Sequence, residues 1–106
     1  MISVVILTKN EELDLPACLK ALDWCNDIYV LDSGSTDKTR DIAQQFGAKV
    51  LIHPFESFGK QRNFALDHFT FLYEWVLFID ADEIVTPRFR EAMLEGRWLK
   101  HCDNFP

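Results

Sequence analysis

Two carboxylates, Asp80 and Asp82, stand directly after the apolar run Trp75, Val76, Leu77, Phe78, Ile79. In extended chain, side chains two residues apart point the same way, so both acids can face one point. Hard oxygen ligands converging on one point suit Mg²⁺ or Mn²⁺, which take one or two carboxylates plus substrate phosphate oxygens. The plainer reading is an acidic turn, continued by Glu83, that caps the next helix. Two other polar stretches follow apolar runs in the same manner. Thr8, Lys9, Asn10, Glu11 and Glu12 follow residues 2–7, and Asp32, Ser33, Gly34, Ser35, Thr36 and Asp37 follow residues 28–31. A fourth polar group, Lys60, Gln61, Arg62 and Asn63, sits in the first turns of a helical pattern.

The elements that must position these groups can be read from the apolar pattern. Strands are expected over 2–7, 28–31, 49–52 and 75–79, each of strand length. The run 75–79 carries five large side chains, which reads as an interior strand buried on both faces. The first helix has Pro16 in its first turn, where a missing N–H costs nothing, and Leu15, Leu19 and Leu22 on one face. In the second, Ser35 or Thr36 can cap and Asp37 favours the first turn; Ile42 and Phe46 give the apolar face, and Gly47 ends it. His53 and Pro54 lead out of the third strand. A third helix is expected over 58–69, with Phe58, Ala65, Leu66 and Phe69 toward the sheet. Thr86 and Pro87 open a last helix that runs to about Glu95 and stops at Gly96, before an irregular tail over 96–106.

Strand and helix patterns alternate, which is the mark of an α/β fold: an open, mainly parallel sheet with right-handed crossovers. The expected strand order is 3-2-1-4, a Rossmann-like half. Its switch point lies between strands 1 and 4, and ligands bind at such a crevice beyond the carboxyl ends of the strands. There the loop carrying Thr8, Asn10 and Glu11 meets Asp80 and Asp82, with Asp32 and Ser33 alongside.

With 106 residues there is room for one domain, and an apolar share of 48% is enough for a core. A net charge of −6 speaks against a nucleic-acid binder, which needs a basic face, and against attraction to anionic lipid. Cys18, Cys25 and Cys102 are odd in number and lack metal-ligand spacing, which reads as reduced thiols in a cytoplasmic setting. No basic stretch precedes residues 2–7, so they do not read as a signal peptide. The longest apolar stretch, 69–79, falls short of the roughly 20 residues of a membrane helix. His53, His68 and His101 show no ligand spacing and read as structural or surface residues. Lys38 and Arg40 read as solvent-facing.

Taken in order, the four polar groups resemble those of family 2 glycosyltransferases, inverting enzymes that use nucleotide-diphosphate sugars on the GT-A fold. The resemblance covers about residues 1–95. It is nearest to bacterial members that build envelope polysaccharide or lipopolysaccharide core. It implies that Thr8, Asn10 and Glu11 hold the nucleoside, with Asp32 and Ser33 around the base and Arg62 near the nucleotide and its diphosphate. Asp80 would contact the ribose or the metal, and Asp82 would bind the metal, Mg²⁺ or Mn²⁺. The implied partners are a nucleotide-diphosphate sugar, UDP-linked, and a glycan or glycolipid acceptor. The implied setting is the cytoplasm, at the inner face of the plasma membrane for a peripheral form.

Two departures from the family pattern stand out. Many members have a second acid where this chain has Ser33; such an acid would accept a hydrogen bond from the base. Family members also continue well past this length. Their remaining part would supply the acceptor site and the catalytic base, so no base is assigned up to Pro106 and the fragment alone is expected to be inactive. The rival reading is a non-catalytic binding or interaction module, which self-associates through the edge of the strand over 75–79. A phosphoryl-transfer domain is a poorer match, since no Gly-rich phosphate loop is present.

Overall fold

A computed structural model of the chain describes residues 2–82. Its elements alternate: β1 (Ser3–Thr8), α1 (Leu15–Ala21), β2 (Ile28–Asp32), α2 (Thr39–Gln45), β3 (Lys49–Ile52), α3 (Phe58–His68) and β4 (Val76–Asp80). All strand pairs are parallel, in the order β3-β2-β1-β4, the open arrangement expected from the alternation. The expected last helix over 86–95 and the tail over 96–106 lie outside the described residues.

The core has two layers, one on each face of the sheet. Val4, Ile6 and Val30 pack with Leu15, Leu19 and Leu22 on the α1 and α2 side. On the other face Val5, Tyr29 and Leu31 meet Ala65 and Phe69. β1 and β2 are the strands with neighbours on both sides. The apolar run of β4 reads as an interior strand, while the expected order puts it last; among the described residues it pairs with β1 alone and forms an edge. Its Leu77 and Ile79 are buried while Val76 and Phe78 are half-buried. Helices can cover both faces of an edge strand, so apolarity on both faces does not imply lateral neighbours.

Local chemistry accounts for most element ends. Pro16 sits in the first turn of α1, and Leu15 and Leu19 are buried as expected. Gly47 adopts a φ of +84° just past α2, the left-handed conformation that closes a helix without a Cβ penalty. Neither Ser35 nor Thr36 caps α2: the N-cap position is Lys38, with no side-chain cap. Asp37 instead accepts from the Thr39 N–H at 2.9 Å and from the Thr39 hydroxyl. Ser57 caps α3, its Oγ accepting from the Lys60 N–H at 3.1 Å. On α3, Ala65 is buried and Phe69 closes the helix in the core, but Phe58 and Leu66 are exposed. The buried residue in their place is Gln61.

The amino end of the sheet holds a buried carboxylate. Asp27 accepts from Ser3 Oγ at 2.5 Å, Tyr29 OH at 2.6 Å and the Leu72 N–H at 2.8 Å, and Lys49 Nζ lies 3.6 Å away. This cluster ties the segment that feeds β4 to β1 and β2. Burial alone would raise the Asp27 pKa, but the hydrogen bonds from Ser3, Tyr29 and Leu72, with Lys49, outweigh it and hold the carboxyl below its usual range. The folded form therefore binds its proton more weakly than the unfolded chain. The stabilisation is complete above the ordinary carboxylate value, about 3.9, and is lost as pH falls through the lower folded value. Thermal melting between pH 7 and 3 is expected to show a Tm that falls below about pH 4, with a shallower fall in Asp27→Asn. A Tm in that variant with the same acid slope would contradict the assignment.

Cys18 and Cys25 are buried thiols. The Cys25 Sγ points at the carbonyls of Ile2 and Asp27, at 3.4 and 3.6 Å, and burial pushes its pKa up. Both act as small apolar side chains of the core. No helix among the described residues is long and apolar enough to cross a membrane.

Candidate functional site

The parallel ladders bring the polar groups to one end of the sheet. Register sets Thr8 beside Asp32 and Leu7 beside Asp80, so residues more than seventy positions apart become neighbours across β1 and β4. β1, β2 and β4 each end in a polar residue, because backbone pairing continues one position past the apolar run. The carboxyl ends of β1 and β4 open into a cleft of about 250 Å³ whose walls include Thr8, Glu11, Ser33, Gln61, Asp80 and Asp82. The described walls do not include Asn10, Asp32 or Arg62.

Asp32 is fully buried, and its carboxylate is the hub of the β2 loop. Oδ1 accepts from Thr8 Oγ1 at 2.7 Å and Ser35 Oγ at 2.5 Å; Oδ2 accepts from the Gly34 and Ser35 N–H groups at 3.0 and 2.7 Å. Burial works against the charge, yet these donors hold its pKa below the usual range. Asn10 has a left-handed φ of +53°, which asparagine tolerates better than most residues. Its Oδ1 accepts from the Thr36 N–H at 2.8 Å, while its own N–H donates to Ser35 Oγ at 2.7 Å. The Glu11 N–H donates to Thr39 Oγ1 at 2.8 Å, and Lys9 Nζ to the Gly34 carbonyl at 2.9 Å. The 8–12 and 32–39 loops are thus latched together, and Asn10 and Asp32 shape the cleft through that latch. Arg40 is part of it: its guanidinium donates to the Ser35 carbonyl at 3.2 Å, where a solvent-facing charge was expected.

The cleft is acidic. Asp80 and Asp82 are exposed, on either side of buried Ala81, and both line it. Partial burial, then Asp14, Asp82 and Asp80, push the Glu11 pKa up. Carboxylates that repel one another at one cleft are what a divalent cation relieves. Among the described residues no cluster of three or more Asp, Glu, His or Cys side chains is built to hold a metal. Asp80 and Asp82 alone fit the sparse set that Mg²⁺ or Mn²⁺ shares with substrate phosphates. Arg62 is half-buried on α3 beside the buried Gln61.

Gln61 is the site residue whose importance the apolar pattern hides. It is 1% exposed and makes three contacts: Nε2 to the His53 carbonyl at 3.1 Å, Nε2 to Ser33 Oγ at 3.2 Å, and Oε1 to His53 Nδ1 at 2.6 Å. It joins the ends of β2 and β3 to α3. The only sequence signal was its place in a polar helix start. His53 is structural: its ring also stacks on Phe64, with centroids 4.1 Å apart.

An open parallel sheet with an acid-lined cleft at its switch point defines an α/β ligand-binding domain. The arrangement is the Rossmann-like half of a GT-A fold. The chain belongs to glycosyl transferase family 2, whose pattern matches residues 3–96. It is 32% identical over 99 residues to the lipopolysaccharide core biosynthesis glycosyltransferase LpsC of Rhizobium meliloti, a match covering 89% of this chain and 36% of that protein. It is 37% identical over 93 residues to the uncharacterized glycosyltransferase RC0292 of Rickettsia conorii, covering 87% of this chain and 32% of that one. Among solved structures it resembles glucosyl-3-phosphoglycerate synthase from Mycobacterium tuberculosis in complex with UDP, at a TM-score of 0.65 and 32% identity, covering 79% of this chain and 34% of that one. The same synthase has been solved with Mg²⁺ and UDP, and with Mn²⁺ and UDP-glucose. The chain spans about a third of the length of the curated relatives it matches.

Proposed function

We propose that this chain is the donor-binding part of an inverting glycosyltransferase that takes a sugar from a UDP-sugar. The observation that carries this reading is the meeting of Glu11, Asp80 and Asp82 with Thr8 and Ser33 at one cleft between β1 and β4. Asp82, with Asp80, would hold Mg²⁺ or Mn²⁺. When bound there, the cation neutralises charge on the departing nucleoside diphosphate. Thr8, Asn10 and Glu11 hold the nucleoside, Asp32 and Ser33 shape the base end, and Arg62 serves the diphosphate. Residues 1–95 form the donor domain and 96–106 its tail. The acceptor is a glycan or glycolipid of the envelope, in keeping with the named role of LpsC. The base that deprotonates the acceptor hydroxyl is assigned outside these residues, so the fragment alone binds donor without transferring it. The setting is the cytoplasm or the inner face of the plasma membrane.

Calorimetry tests this reading. UDP is expected to bind with Mn²⁺ and much more weakly in chelator, whereas no UDP binding at millimolar ligand with Mn²⁺ would overturn it. Turnover of a UDP-sugar by these 106 residues would overturn the assignment of the base. Among the described residues β4 stands at an edge, which supports a second expectation, self-association through that strand. Sedimentation is expected to show a concentration-dependent dimer, and a monodisperse monomer would contradict it.

A further inference from the structure

Two phenylalanines remain unexplained by the fold. Phe55 and Phe58 are 47% and 59% exposed, and both line the cleft. Their rings meet edge to face, with centroids 5.1 Å apart and planes at 90°. Single exposed apolar residues are ordinary, but a paired aromatic surface on the wall of a polar cleft is not scattered exposure. The rings are also held in place. Ser57 caps α3 between them, fixing Phe58 as the first helical residue, and Gln61 ties the next turn to His53 and Ser33.

The order of strands says which part of a ligand reaches these rings. The acids stand at the end of β4, while Phe55 and Phe58 belong to the stretch that leaves β3, the strand at the other edge of the described sheet, and opens α3. Three interstrand steps separate the two edges, about 14 Å in all. An extended nucleoside diphosphate anchored by its phosphates at the acids would place its ring toward the far side, past Ser33. The edge partner there is polar. The His53 carbonyl can only accept, so the Gln61 group facing it is the amide nitrogen. That nitrogen also donates to Ser33 Oγ, which leaves the Ser33 hydroxyl proton for a ligand. A flat face and a hydroxyl donor together suit a planar ring with carbonyl oxygens on its edge.

We propose that Phe55 and Phe58 form the stacking wall for the base of the sugar donor, with Ser33, oriented by Gln61, at the ring's edge. This rests on the donor-site reading above and adds residues to it. Stacking on an aromatic side chain is favourable for any base, so the wall supplies affinity and Ser33 the polar contact.

The test uses the 106-residue chain with Mn²⁺ and three probes in calorimetry: inorganic pyrophosphate, UDP and UDP-glucose. Phe58→Leu keeps an apolar, helix-compatible residue and removes the ring. It is expected to weaken UDP and UDP-glucose about tenfold and leave pyrophosphate unchanged. Unchanged UDP affinity overturns the proposal, as does equal weakening of pyrophosphate. Weakening of UDP-glucose alone also overturns it, since the ring would then serve the hexose. Failure of the unaltered chain to bind UDP sinks the donor-site reading itself, which a null effect of Phe58→Leu alone does not. A measurement without substitution guards against misfolding: nuclear Overhauser effects from the Phe55 and Phe58 rings to uracil H5 and H6 are expected. Their absence in a saturated complex contradicts the wall.

Discussion

Asp32→Ala is expected to lower stability by about 3 kcal/mol or more. Four donors converge on this buried carboxylate: the Thr8 and Ser35 hydroxyls and the Gly34 and Ser35 N–H groups. Removing the acceptor leaves several of them buried without a partner, and each unsatisfied group costs about 1–3 kcal/mol. Alanine also opens a gap beneath the latch, so the 8–12 loop loses its fixed path. Nucleotide affinity should therefore fall with stability, although Asp32 itself is not part of the cleft wall. Asp32→Asn keeps the shape and some acceptor capacity, and should cost less. Urea unfolding followed by circular dichroism measures both, and a loss below about 1 kcal/mol for the alanine variant would contradict the hub.

Asp82→Ala is expected to do the opposite: leave the fold intact and remove the metal's share of nucleotide binding. Asp82 is exposed, one residue past the buried Ala81, and its carboxylate adds to the repulsion felt by Glu11. Losing it should change stability by no more than about 0.5 kcal/mol, as for most surface changes. With Mn²⁺ present, UDP affinity should fall about 30-fold, roughly 2 kcal/mol. In chelator the variant and the unaltered chain should bind UDP alike. Equal Mn²⁺ dependence in both would show that Asp82 is not a ligand.

The strand order is legible from the alternating apolar runs together with right-handed crossovers, and Pro16 and Gly47 mark helix ends. The edges of strands were less legible. Thr8, Asp32 and Asp80 belong to the ladder through their backbones, which polarity conceals. On α3 the apolar pattern points Phe58 and Leu66 inward, yet both are exposed and Gln61 is buried. A buried amide whose three contacts go to His53 and Ser33, just past the ends of β3 and β2, has no local signature. The latch between the 8–12 and 32–39 loops has no local signature either. Ser35 and Thr36 look like helix caps in sequence, while in the fold the Ser35 side chain and the Thr36 N–H serve Asn10 instead. The strand order alone puts Glu11, Asp80 and Asp82 at one end of the sheet, where the cleft lies.

In the proposed donor site the ends of β1 and β4 close on one diphosphate and one cation. Crystals grown with UDP and Mn²⁺, measured at the manganese absorption edge, test it most directly. One anomalous peak is expected at about 2.1 Å from an Asp82 carboxylate oxygen, with the diphosphate in the same cleft. Manganese or UDP bound elsewhere, with the cleft between Glu11 and Asp80 left to water, would contradict it.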